Sequence, residues 1–174
     1  IYIYKKTREV RPHWTIEEDW EIKKKKKKIV FWILGIFVAI QLIPIDRTNK
    51  PVDKTQNFVD VIKPPKEVAQ ILKNACYDCH SNEVKYPKYA YLAPISWSVK
   101  HHINEGRERV NFSVWTTYNT DQKNHILDDI METVESKEMP LKGYLPMHPE
   151  ADLSDAQRKI FNDYFKQLQK SGKF

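Results

Sequence analysis

Apolar and polar positions in this chain repeat with a helical period, and no run alternates in the manner of a strand. After Pro64-Pro65, Val68, Ile71, Leu72 and Ala75 mark one buried helix face, and proline is tolerated at a helix's first position. The sequence predicts that this helix ends over Cys76 to His80. A second helix is expected from Pro94 to Glu105, ended by Gly106, and Ser113 reads as a further N-cap. Ile126, Ile130 and Val134 give an amphipathic helix over about 121–136. Ser154 with Gln157 forms a capping box before the stripe Ile160, Phe161, Tyr164, Phe165 and Leu168. Tyr86-Pro87 to Ala93-Pro94 and Met139-Pro140 to Pro149 read as loops, because proline disfavours helix in the residue before it. The expected fold class is all-α.

The front of the chain follows a different pattern. Six lysines, Lys23 to Lys28, abut a charge-free tract from Ile29 to Ile43 whose one strongly polar residue is Gln41. Taken as 29–45, the tract spans about 25 Å as a helix, slightly short of the roughly 30 Å hydrocarbon core. Lysines that snorkel and Trp32 near the interface would make a single transmembrane span feasible. No small-x-small cleavage site follows it and no lipoprotein cysteine closes it, so an uncleaved anchor is expected rather than a signal peptide. Thr15 with Glu18 suggests a capping box, and one helix is expected from about Ile16 to Ile43. The lysines favour the cytoplasmic side of a bacterial inner membrane, which puts the C-terminal part in the periplasm.

This arrangement divides the chain into a cytoplasmic segment (1–28), a transmembrane helix (29–45), a linker lying over the domain (46–63) and a helical domain (64–174). The first 14 residues, with Tyr2, Tyr4, His13 and Trp14, suit a tail or a docking segment for a partner. Charge follows the same division. Of 29 Lys and Arg, 10 lie in the first 43 residues against 5 acidic groups, while the remainder carries 19 basic and 18 acidic. The basic character belongs to the membrane flank, so nucleic-acid binding is not expected.

The only two cysteines sit in Cys76-Tyr77-Asp78-Cys79-His80, the C-x-x-C-H pattern for covalent haem attachment. Two thiols three residues apart can reach two vinyl groups on one porphyrin edge, and the adjacent imidazole then serves as an axial ligand. A thioredoxin-like pair would start a helix after a strand, and a zinc site needs four ligands. Neither setting is evident. One covalent haem c is therefore expected on Cys76, Cys79 and His80, on the membrane side where such attachment takes place. Met139, in a proline-stiffened loop, leads as the sixth ligand, with Met147 and His102 as alternatives; thioether ligation would raise the potential. Tyr86, Tyr89 and Trp97 are candidates for the wall of the haem pocket, and Arg107, with Arg109, for pairing with its propionates.

Beyond the motif, Ser81-Asn82, Tyr86-Pro87, Tyr89-Ala90, Ala93-Pro94, Ser96-Trp97, His102 and Gly106-Arg107 form a longer pattern. It continues with Asn111-Phe112-Ser113, Trp115, Met139-Pro140, Tyr144, His148-Pro149, Ala151, Leu153 and Ser154. Over roughly Pro65 to Phe165 the chain resembles the small bacterial haem-binding domain proteins with a single C-x-x-C-H motif. That resemblance implies a cytochrome c-like helical fold, often behind an N-terminal membrane segment, and strengthens Met139 as axial partner. The expected role is one-electron transfer, not catalysis, between respiratory membrane complexes: a quinol-oxidising complex, a terminal oxidase, or both. A haem peroxidase or ligand sensor with an open sixth position, and a structural haem subunit bracing a complex, are the alternatives.

Overall fold

The computed structural model describes residues 16–174, and all of their regular structure is helical. The Thr15 cap and the aromatic segment before it lie outside the described residues. Two units are distinguished, one ending at Ile43 and the other covering Pro44–Phe174.

In the first unit, α1 covers Ile16–Ile40. It ends three residues before the expected Ile43, in a turn where the Gln41 main-chain N–H donates to Val38 O at 3.1 Å. The lysine run lies inside the helix, so its charge-free part reduces to 29–40, about 18 Å at 1.5 Å per residue. No helix among the described residues is long and apolar enough to cross a membrane. The single span expected over 29–45 is corrected to that extent.

The second unit contains α2 (Phe58–Val61), α3 (Lys66–Ala75), α4 (Tyr77–His80), α5 (Ile95–Arg109), α6 (Thr120–Glu135) and α7 (Asp155–Ser171). Short 3-10 turns at Lys88–Tyr91, Phe112–Thr117, Leu145–Met147 and Pro149–Ala151 fill the connections. The expected faces are buried in part. Val68, Ile71 and Leu72 on α3 and Phe161, Phe165 and Leu168 on α7 are buried, whereas Ile160 is exposed. On α6, Leu127 and Met131 join Val134 in the core while Ile126 and Ile130 are half-buried beside it. Ser154 and Gln157 form the expected capping box on α7, and Asn119 with Gln122 forms another on α6 that the sequence reading passed over.

Aromatic rings centre this core. Phe58 meets Trp115 edge-on at 4.9 Å between centroids and stacks on Phe165 at 5.8 Å. Residues 46–63, expected to be a linker, therefore supply a core anchor; burying a ring of this size contributes about 1.5–3 kcal/mol. The same segment binds the motif, since Tyr77 Oη donates to Asn57 Oδ1 at 3.1 Å and accepts from Val59 N–H at 3.4 Å. Two further expectations change. Gly106 does not end α5, which continues to Arg109, and Asn111 rather than Ser113 caps the following turn. The Ser113 hydroxyl instead accepts from Asn82 N–H at 2.9 Å.

Candidate functional site

Cys76 interrupts what would otherwise be one helix. Its φ of −121° closes α3 and opens the single turn α4, which carries Tyr77 inward and His80 toward a cavity. Tyr77 is the inward anchor, buried and stacked on Phe112 at 5.4 Å. Cys79 and His80 line the cavity together with Ala75, while Cys76 is half-buried against the core beside them and does not line it.

His80 is fixed by main chain. Its Nδ1–H donates to Gly106 O at 2.8 Å, with Val110 O at 3.3 Å. Burial holds its pKa below the ordinary histidine value, against those two bonds, so the ring is neutral and its lone pair lies on Nε2. A backbone carbonyl on one ring nitrogen is how proteins orient a histidine whose other nitrogen binds metal.

Gly106 explains how α5 approaches so closely. A Cβ there would stand 2.9 Å from Cys79 O and 3.2 Å from Cys79 Cβ, so any side chain would push α5 off the motif. Mid-helix glycine, in a residue run with no turn signal, marks such an approach.

The cysteines themselves are poor nucleophiles. Burial, with Cys79 beside it, pushes the Cys76 thiol up to about 12; burial and the Asp78 carboxylate push Cys79 up to about 11 despite Arg107 nearby. Redox-active pairs have the reverse profile, with one thiol lowered. Among the described residues no group of three or more His, Cys, Asp or Glu is placed to hold a metal ion, whereas a structural zinc takes four ligands.

The cavity measures about 990 Å³. That is the upper end of the roughly 300–1,000 Å³ typical of ligand pockets. α5 contributes Val99, His102 and Ile103 to its lining, and the loop after α6 contributes Met139, Leu141 and Met147. The two methionines are held differently. Met139 is half-buried; its N–H donates to Thr133 O at 3.0 Å and its carbonyl accepts from Arg158 Nη1 at 2.7 Å. Met147 is 62% exposed and its N–H makes only the local turn bond to Tyr144 O. His102 lines the cavity with its side chain about half exposed, 3.6 Å from Glu105.

The family model for the haem-binding domain matches residues 35–167. The chain belongs to the haem-binding domain family. No curated protein and no solved structure matches it.

The residues present fit a haem. A large cavity with a predominantly apolar lining adjoins the C-x-x-C-H turn, and a neutral, carbonyl-oriented His80 lines it. Of the expected haem neighbours, Tyr89, His102, Met139 and Met147 line this cavity. Tyr86, Trp97 and Arg107 do not. Proline-bounded loop aromatics cannot be assigned a direction from sequence, and Tyr86 and Trp97 are half-buried elsewhere. Arg107 is engaged with the motif, its Nε donating to Ser81 O at 2.8 Å, so it braces the turn beside Cys79. Arg109, Lys85 and Lys142 are the cavity-lining cations, and the two lysines were missed because isolated surface lysines carry no pattern.

A polar chain that the sequence did not reveal links the motif to the methionine loop. Tyr144 Oη donates to Asp78 Oδ2 at 2.8 Å, and the Tyr144 ring stacks on His148 at 3.9 Å. Tyr89 Oη lies 2.8 Å from His148 Nε2. Burial, then the bond to Asp78, holds the Tyr144 hydroxyl well above the ordinary tyrosine value, so it stays a donor.

Proposed function

We propose that this chain is a membrane-attached, mono-haem c-type cytochrome that carries single electrons, with a cytochrome c-like haem domain. The observation that carries this reading is one apolar cavity lined both by a carbonyl-oriented His80 and by Met139, whose main chain is bonded on both its N–H and its C=O. Cys76 and Cys79 would hold the haem through thioethers, His80 Nε2 and Met139 Sδ would bind its iron, and Arg109, Lys85 or Lys142 would meet its propionates. Haem, when bound, supplies the one-electron chemistry.

Everything else is the work of the chain. The Gly106 carbonyl keeps His80 in one tautomer and one orientation. Val99 and Ile103 of α5 with Leu141 of the methionine loop would shield the ring from water. A ligand pair held by main chain on both members changes little between oxidation states, which is the property a carrier needs. Met139 held at the sixth position would leave no open site for peroxide or a gas, which is what separates a carrier from those alternatives.

Attachment to the membrane rests on 29–43, where Phe31 and Trp32 are more than 70% exposed and the adjoining residues are equally apolar. The lysine run would sit at the cytoplasmic headgroups, its side chains snorkelling beside the short apolar tract. The haem domain would then be in the periplasm of a bacterial inner membrane, beside a quinol-oxidising complex or a terminal oxidase. Confinement there raises its effective concentration at their redox sites.

Optical spectra of the oxidised and reduced protein, with Met139→Ala alongside, test the ligand set. A sulfur-to-iron charge-transfer band that vanishes in Met139→Ala, with a lowered potential, is expected. A band absent from the parent protein, or ready binding of carbon monoxide to it, would favour the sensor or peroxidase reading instead.

A further inference from the structure

Arg158 is an unusual residue to find inside α7. It is 7% exposed, yet it donates to three main-chain carbonyls: Val134 O at 2.6 Å and Met139 O at 2.7 Å through Nη1, and Leu153 O at 3.2 Å through Nε. Asp155, one turn earlier, is 82% exposed at its side chain and pairs with Lys137 at 2.6 Å. A buried guanidinium costs several kcal/mol of desolvation, which its own hydrogen bonds must offset. Its position supplements a C-cap: Val134 lies in the last turn of α6, and its carbonyl, which also accepts from Lys137 N–H at 3.3 Å, takes the shorter bond from Arg158. Met139 lies five residues further on, and its carbonyl would otherwise have no such anchor in α7.

We propose that Arg158 is the positioning residue for the sixth ligand: its guanidinium ties the end of α6 and the Met139 carbonyl to α7, and so fixes where the Met139 side chain enters the cavity. This inference rests on Met139 being that ligand. The planar fork of arginine suits the task, because one Nη and the Nε reach carbonyls from three different segments at once. Lysine, with a single nitrogen on a flexible stem, cannot span all three. The N–H of Met139 is already bonded to Thr133 O, so the arginine contact completes the fixation of that peptide. Arg158 does not line the cavity, so its effect on the iron would be exerted through Met139 alone.

The test uses the full-length haem-loaded protein with Arg158→Lys and Arg158→Gln, each also combined with Met139→Ala. The readouts are the intensity of the sulfur-to-iron band and the affinity of the ferric protein for added imidazole, a competitor for the sixth position. With the Met139 bond weakened, the band should fade and imidazole should bind roughly tenfold more tightly in Arg158→Gln, by the rise in the open population. Arg158→Lys should fall between Arg158→Gln and the parent. In the Met139→Ala background neither Arg158 change should alter imidazole affinity further. An unchanged band and affinity in Arg158→Lys would overturn the proposal, as would an equal shift with and without Met139. Should Arg158→Gln fail to fold, the Arg158→Lys comparison in both backgrounds decides alone. A parent protein with no sulfur-to-iron band would instead remove the ligand assignment itself.

Discussion

Two segments line the same cavity but are secured by different means. The Cys76 to His80 turn is fixed from within a short stretch of chain and from the aromatic core: Tyr77 is stacked on Phe112 and bonded to Asn57, and His80 is bonded to α5, which has no room for even a Cβ at Gly106. The Met139 to Met147 loop has no such core residue at its tip. It is held by main-chain bonds at its start, through Thr133 and Arg158, and by one side-chain bond from Tyr144 back to Asp78. The comparison teaches that His80 is part of the fold, whereas the Met139 loop is attached to it at a few points. A ligand of the second kind is the one whose strength the protein can adjust.

The largest expected effect is on the aromatic core that supports the first segment. Phe58→Ala should cost about 3–5 kcal/mol of stability, the usual range for a buried ring truncated to a methyl. Denaturant melts of the haem-loaded protein would show it, and a loss under about 1 kcal/mol would mean that Phe58 is no core anchor. Gly106→Ala should follow at about 1–3 kcal/mol, since the new methyl meets backbone rather than a flexible side chain. It should also shift the haem optical spectrum by displacing His80; a variant as stable as the parent with an identical spectrum would show that α5 can yield.

Tyr144→Phe removes the bond between the segments and should cost roughly 1–2 kcal/mol, because its acceptor is a carboxylate. Its distinguishing sign would be easier displacement of the sixth ligand by imidazole, with His80 undisturbed. Smallest of all, Met147→Ala should leave stability within about 0.5 kcal/mol and the sulfur-to-iron band intact, as expected of an exposed residue. Loss of that band in Met147→Ala would exchange the roles of the two methionines.

The same division explains what could be read from the sequence. The motif turn is contiguous, so its spacing could be read directly, and the helices α3, α6 and α7 followed from their periods, though on α6 Leu127 and Met131 rather than Ile126 and Ile130 are buried. Their partners were not, because a carbonyl acceptor such as Gly106 O has no signature in sequence. Phe58 was taken for linker because an isolated aromatic between Pro51 and Pro64 shows no period, and only the folded core reveals its place. Arg107 was read as a propionate partner and Arg158 was not singled out, yet one braces the motif and the other the methionine loop. The expected membrane span reduced to a 12-residue helical part because the sequence pattern shows where charge ends but not where the helix does.

The central claim is that a single haem is bonded to Cys76 and Cys79, with His80 beneath its iron. Mass measurement of the unfolded, reduced full-length chain after production in a host that assembles cytochrome c tests it most directly. One haem mass added to the polypeptide is expected, surviving denaturation and absent when both cysteines are replaced by serine. A polypeptide of unmodified mass, with haem released on unfolding or with zinc between the sulfurs, would contradict it.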